Sequence, residues 1–323
     1  MCTSVRFTSK NGSMYLGRNL DWSCGYGERV RVMPKGFPVR YRFLDDAPSA
    51  HAVIGMCVDF QNLPMFFDCG NDAGLAVAGL NFPGFAEYAE GPAETGRNVC
   101  AYELPMWIAA NFSSVDEVVV ALEGTTVVGV PAGEGLGVSY LHWIVGDATR
   151  SIVIECRADG MHVLDDSVDV LANQPSLEWH LENLRSYITA TSDAPAPAKW
   201  RRAELAPYGA GAGMRGIPGD SYSPSRFVKA AFLNANYPDK ESEHDNVIRM
   251  FRTLEGVAMV EGSARMTNGD LEKTLYTSCF SAETGCYYYN TYEDLAIRCV
   301  SLADAEGAPV DKLVCPDPIR IDG

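Results

Sequence analysis

The stretch MCTSVRFTSKNGSMYLGRNLDW, residues 1–22, decides the reading of the fold. Polarity alternates from Thr3 to Phe7 and again from Met14 to Arg18, with Asn11-Gly12 between them. Two alternating runs joined by Asn-Gly read as a β-hairpin, because both central positions of a type I′ turn need positive φ. With Asn11-Gly12 as a two-residue turn, Lys10 faces Ser13, and the ladder carried upward sets Cys2 opposite Asp21 on one sheet face. Arg18 then pairs with Val5 and points away, unless a bulge near Gly17 or Asn19 brings it round.

Cys2 directly after Met1 gives this hairpin chemical meaning. Once Met1 is removed, one residue carries both a thiol and a free α-amine. An α-amine has a reference pKa of about 7.7–8.0, close to the working pH, and can act as base for its own side chain. Nucleophile and base then come from a single residue, with no histidine. Many chains begin Met-Cys by chance, so the neighbours matter. Arg18 and Asp21 lie in Gly17-Arg18-Asn19-Leu20-Asp21-Trp22. A cation beside a thiol favours the thiolate, and a carboxylate can orient an amine.

Further along the chain, Gly74 to Asn81 reads as a buried strand that stops before Pro83-Gly84. A helical block from Val99 to Asn111 is expected to kink at Pro105. Ser114 and Glu117 form a capping-box pattern ahead of another helix. Pro131 to Gly137 is a Gly-rich loop. Leu141–Val145, Ser151–Arg157, Met161–Leu164 and Val170–Asn173 are short strands divided by turn signals and stopped by Pro175. Helical patterns follow near Leu177–Ile188, Ser225–Ala235 and Glu243–Leu254. Leu275–Phe280, Tyr287–Asn290 and Ala296–Val300 close the chain as strands, and Thr191 to Ala212 reads as a long loop. Strands and helices come in clusters rather than in strict alternation. That points to antiparallel sheets covered by helices, an α+β chain forming one domain over 1–323.

Composition removes several function classes. A formal net charge of −16 and the lack of any Lys/Arg run argue against a nucleic-acid partner. No apolar run approaches membrane-spanning length, and the N-terminus has no apolar signal segment, so a cytoplasmic protein with no membrane partner is expected. None of the ten cysteines forms a C-x-x-C pair or has a His at finger spacing. No metal site and no cofactor are expected, and most of the thiols should be free in a reducing compartment.

The motifs MCTSVRF, GRNLDWS, AGLNFPG, VLANQP, GDSYSPSRF and YTS followed by YYYNTY, taken in this order, resemble the bile salt hydrolase (choloylglycine hydrolase) family, which includes the penicillin V acylases. The resemblance runs from residue 1 to about residue 300. It implies an N-terminal-nucleophile hydrolase with a four-layer αββα sandwich, usually assembled as a homotetramer. It makes Cys2 the nucleophile, with Arg18 and Asp21 beside it and Asp21 near the α-amine. It makes Asn81 and Asn173 the side chains of an oxyanion hole and Arg226 the remaining site arginine. One departure stands out: the resemblance leads us to expect threonine before Asn173, and this chain has Ala172.

The implied substrates are conjugated bile salts, whose steroid calls for an apolar pocket with few polar groups. Leu20, Trp22, Cys24, Tyr26, Met56, Met65, Phe66 and the loop from Val130 to Leu136 are the candidates for its lining. Two other readings compete. A penicillin V acylase would use the same nucleophile, although Asn rather than Tyr at position 81 favours the bile salt side. A non-catalytic thiol-responsive binding protein would account for the ten cysteines but not for the arginines, aspartate and asparagines around Cys2.

Overall fold

The computed structural model describes residues 1–60 and 63–321. Strands β1 (Cys2–Thr8) and β2 (Met14–Trp22) form the opening hairpin. A second group follows: β3 (Arg29–Met33), β4 (Val53–Phe60), β5 (Leu63–Asn71) and β6 (Ala76–Asn81). Helices α1 (Leu104–Asn111) and α2 (Val115–Leu122) come next. Then come β7 (Leu141–Gly146), β8 (Ser151–Arg157), β9 (Gly160–Asp165) and β10 (Val170–Leu171). Helices α3 (Leu177–Leu184), α4 (Ser223–Asn236) and α5 (Glu243–Glu255) precede the closing strands. These are β11 (Leu271–Ser281), β12 (Cys286–Thr291) and β13 (Arg298–Ser301).

The first sheet runs β10-β1-β2-β11-β12-β13 and the second β9-β8-β7-β6-β5-β4-β3, with antiparallel pairing throughout these two runs. Leu16 and Leu20 of the first sheet share one core with Ile54, Met56, Ala78, Leu80 and Ile144 of the second. That core continues behind the first sheet to Phe227 and Ala230 of α4 and to Met250 and Leu254 of α5. A separate core lies between the second sheet and α1–α2, around Val77, Trp143, Ile108 and Val118. The order helix, sheet, sheet, helix is the expected αββα sandwich. Strands covered on both faces are buried almost end to end, which is why β1 and β2 lack a solvated face. Gly70 keeps the sheets close, since a Cβ there would lie 2.4 Å from the Phe280 ring.

The hairpin register differs from the sequence-based expectation by one residue. Cys2 pairs with Leu20 and Ser4 with Arg18. The connection is a three-residue loop, Lys10 to Gly12, in which Gly12 alone takes a positive φ of 88° and its N–H donates to the Ser9 carbonyl. A type I′ turn needs positive φ at Asn11 as well, and Asn11 does not adopt it. A slip of one residue moves every side chain to the other face. Cys2 and Asp21 therefore lie on opposite faces, and Arg18 shares the face of Cys2 without a bulge in its own strand. The bulge sits on β11 instead, between Thr274 and Tyr276.

Other boundaries also shift. Arg97–Cys100 is a strand parallel to Thr125–Val128, not the start of a helix. Pro105 falls in the first turn of α1, where its missing N–H costs nothing, so no kink follows. Ser114 caps α2 by accepting from Glu117 N–H, while the Glu117 carboxylate reaches back to Ser113 N–H. The stretch from Thr191 to Ala212 contains a small exposed hairpin, Ala198–Trp200 with Ala203–Leu205. Among the described residues no helix is long and apolar enough to cross a membrane.

Candidate active site

The Cys2 thiol points between the sheets and is 5% exposed. Arg18 Nη2 donates to Cys2 Sγ at 2.6 Å, and Nη1 donates to the Gly79 carbonyl at 2.7 Å and the Phe67 carbonyl at 3.3 Å. Burial opposes the Arg18 charge, but the sulfur and the acidic groups around it hold its pKa above the usual arginine value. Behind Arg18 sits Asp68, a buried carboxylate of β5. It accepts from Tyr276 (2.6 Å) and Tyr287 (2.5 Å) hydroxyls and from Ser278 (2.8 Å). Burial raises the Asp68 pKa, and Arg18 with the three hydroxyls works against that rise. The YTS and YYYNTY motifs thus fasten one sheet to the other directly behind Cys2 and Arg18.

The backbone of Cys2 is held from the opposite face. Its N–H donates to Asn173 Oδ1 at 2.8 Å. Arg226 Nη2 donates to the same oxygen at 2.7 Å, and Nη1 donates to the Cys2 carbonyl and to Thr3 Oγ1, both at 2.5 Å. Asp21 Oδ2 is 4.0 Å from Arg226 Nη1 and has no hydrogen-bond partner among the described residues, while Oδ1 accepts from Thr274 at 2.6 Å. Burial raises the Asp21 pKa against the pull of Arg226, and burial lowers that of Arg226. Met1 is present. Its ammonium donates to the Asp21 carbonyl at 2.5 Å and to Glu272 at 2.7 Å, and its carbonyl accepts from Asp21 N–H at 2.8 Å.

Asn81 and Asn173 meet where β6 ends. Asn173 Nδ2 donates to the Asn81 carbonyl at 2.7 Å, which leaves its second amide hydrogen unengaged by the described residues. The Asn81 side chain makes no hydrogen bond among them. Ala172, in the position where threonine was expected, is fully buried.

The apolar candidates divide. Leu20 and Met56 share the core that holds Cys2, and Trp22 packs against it. Cys24 and Tyr26 are exposed nearby. Met65 lines a recess with Phe60, Tyr102 and Ala132, and Val130 and Leu136 lie on the partly exposed loop beside it. Phe66 does not reach the site. It packs into the core under α1–α2, because a bulge opposite Met56 and Cys57 turns it outward. Phe67, not anticipated from the sequence, packs against the Cys2 core, and its ring lies 5.7 Å from that of Tyr26. Asp68 was likewise missed, although an acid inside the apolar run PMFFDCG was a usable signal.

Comparison with known proteins places this geometry among relatives. A "Bile salt hydrolase/transferase" of Bifidobacterium longum is 50% identical over 307 residues, 94% of this chain and 96% of that protein. The "Conjugated bile acid hydrolase" of Lactobacillus gasseri is 41% identical over 315 residues, 97% and 99% of the two chains. The solved structure of a conjugated bile acid hydrolase variant from Clostridium perfringens superposes with a TM-score of 0.89 at 32% identity, covering 99% of this chain and 97% of that one. A penicillin V acylase from Agrobacterium tumefaciens shares the fold, with a TM-score of 0.74 at 17% identity over 93% and 86% of the chains. The family model of linear amide C–N hydrolases, choloylglycine hydrolase family, matches residues 2–317. With that match over nearly its whole length, the chain belongs to the choloylglycine hydrolase family.

Proposed function

We propose that this enzyme hydrolyses the amide bond of glycine- or taurine-conjugated bile acids, with Cys2 as nucleophile after loss of Met1. The observation that carries the reading is the double hold on Cys2: its sulfur lies on Arg18 and its nitrogen on Asn173. With Met1 gone, that nitrogen is an amine. It takes the thiol proton, the sulfur attacks the amide carbonyl, and the carbonyl oxygen gains charge. The Asn81 amide and the second hydrogen of Asn173 Nδ2 are the donors for that oxyanion. Collapse returns the proton to the departing nitrogen, frees glycine or taurine, and leaves a bile acyl thioester on Cys2. Water, activated by the same amine, releases the bile acid and restores the thiol. Asp21 Oδ2, buried and without a hydrogen bond among the described residues, is suited to hold the amine when it is protonated.

Trp22 and Phe67, backed by the buried Leu20 and Met56, are the apolar surface available to the steroid. The reading treats the chain as a single catalytic domain, since Cys2, Asn81, Asn173, Arg226 and Thr274 converge from across its length. A homotetramer fits the exposed hairpin, where Trp200 is 74% and Leu205 42% exposed. A cytoplasmic setting fits ten unpaired cysteines. Initial rates on glycocholate, taurocholate and penicillin V with one preparation test the substrate. Faster turnover of penicillin V than of either bile salt overturns the reading.

A further inference from the structure

Two buried histidines remain outside this mechanism. His180 Nε2 lies 2.9 Å from the Asn173 carbonyl, and His142 Nε2 lies 2.8 Å from the Ala172 carbonyl. Both histidines are fully buried. The His180 ring stacks on Phe227, with centroids 4.4 Å apart and planes at 15°. The His142 ring stacks on Phe82 at 4.1 Å and 9°. Phe227 follows Arg226 in sequence and Phe82 follows Asn81. Each histidine therefore joins the Ala172–Asn173 segment to the segment of another site residue.

Hydrogen-bond roles follow from chemistry. A carbonyl can only accept, so each Nε2 carries its hydrogen and donates it. Burial lowers the His180 pKa to about 4, which leaves the ring neutral near pH 7, with its one hydrogen on Nε2. Its Nδ1 has no partner among the described residues. His142 Nδ1 faces Glu155 Oε1 at 3.4 Å, and Glu155 in turn accepts from Leu177 N–H and lies 3.4 Å from Arg157. The Asn173 N–H is taken by Ser223 Oγ at 3.0 Å. Backbone and ring contacts thus fix Asn173 from several sides, and its Oδ1 is what orients the Cys2 nitrogen.

We propose that His142 and His180 are positioning residues that clamp the Ala172–Asn173 backbone, and through it aim the Cys2 nitrogen. This rests on the proposed reaction, in which that nitrogen is the base. Misplacing a catalytic group by about 1 Å can cost on the order of a hundredfold in rate without weakening substrate binding. The clamp is therefore expected in kcat and in thiol reactivity, not in KM.

The test compares the mature enzyme with His180→Phe, which can keep the stack but has no donor, and His180→Gln, which restores an N–H near Nε2. Two rates are measured: alkylation of Cys2 by iodoacetamide, followed on the N-terminal peptide, and kcat on glycocholate. His180→Phe is expected to slow both by about tenfold or more with KM within about twofold, and His180→Gln to recover most of the loss. Unchanged alkylation and kcat in folded His180→Phe overturn the clamp. So does a Gln variant as slow as the Phe variant. If His180→Phe does not fold, Phe227→Leu removes the stack alone and is expected to slow kcat several-fold at constant KM; a wild-type rate overturns the proposal. Alkylation needs no bile salt, so a wild-type enzyme inert on conjugated bile salts defeats the substrate reading while the clamp is still measured.

Discussion

The two faces of strand β1 treat Cys2 in different ways. Toward the second sheet, its sulfur meets the guanidinium of Arg18, whose charge the surroundings sustain. Toward the helices, its backbone meets Arg226 and Asn173, and burial there works against the arginine's charge. One face manages a thiol, the other a nitrogen. In the proposed mechanism Cys2 is both nucleophile and base, and the two faces set its sulfur and its nitrogen against different cations.

Substitutions can break the comparison, starting with its centre. Cys2→Ala removes the proposed nucleophile and is expected to cut kcat by about 10⁴-fold or more, and Cys2→Ser nearly as much, since an alcohol needs far more activation. Product release from glycocholate, measured by chromatography, checks this. Substituting any other cysteine is expected to leave a working enzyme.

Asn81→Ala removes the proposed oxyanion donor, whose side chain makes no hydrogen bond among the described residues. A fall of about 10²–10³ in kcat, with KM little changed and melting temperature preserved, is the expected pattern in steady-state kinetics.

The two arginines sharpen the contrast further. Arg18→Ala is expected to slow alkylation of Cys2 strongly, because it removes the cation on the sulfur. Arg226→Ala leaves Asp21 buried without its cation, a change that typically costs about 3–5 kcal/mol. Denaturant unfolding should show that loss, and kcat/KM should fall for both glycine and taurine conjugates. Equal effects of the two variants on alkylation and on stability would erase the distinction between the faces.

The smallest effect concerns the surface. A net charge of −16 repels an anionic bile salt at long range. Salt screens that repulsion over about 8–10 Å, so KM should stay constant or fall modestly as ionic strength rises. A steep climb in KM would mean that long-range attraction dominates.

Much of this was legible in the sequence, for identifiable reasons. Ser151–Arg157 was read at its observed bounds because Asp-Ala-Thr-Arg and Ala-Asp-Gly punctuate it. Asn81 lies at the end of its strand, and Asn173 two residues beyond its own, each followed by a proline turn. The hairpin failed at its register because Asn-Gly also suits a three-residue loop with only the glycine at positive φ, and sequence does not separate the two. The second strand pair, Val53–Phe60 with Leu63–Asn71, was missed because the sequence of neither strand alternates cleanly in polarity, with Val53–Met56 apolar throughout and Pro64 and the Phe66-Phe67 pair interrupting the other. Phe66 and Phe67 are adjacent phenylalanines in one apolar run, and only the bulge decides which one packs against the core between the sheets. The histidines were invisible as positioning groups because their partners are carbonyls, which no residue type announces.

The bond between Met1 and Cys2 is a rung of the first sheet: its carbonyl accepts from Asp21 and its N–H donates to Asn173. An exopeptidase must draw the scissile bond into its own cleft, and in the folded chain both polar atoms of that bond are already taken. Trimming a nascent chain meets no such competition, whereas trimming a finished one must wait for the end of the strand to open. If loss of Met1 is required for activity, as proposed, a cell short of methionine aminopeptidase would stockpile a folded, inactive chain, and supplying the peptidase late would activate it no faster than that end frays.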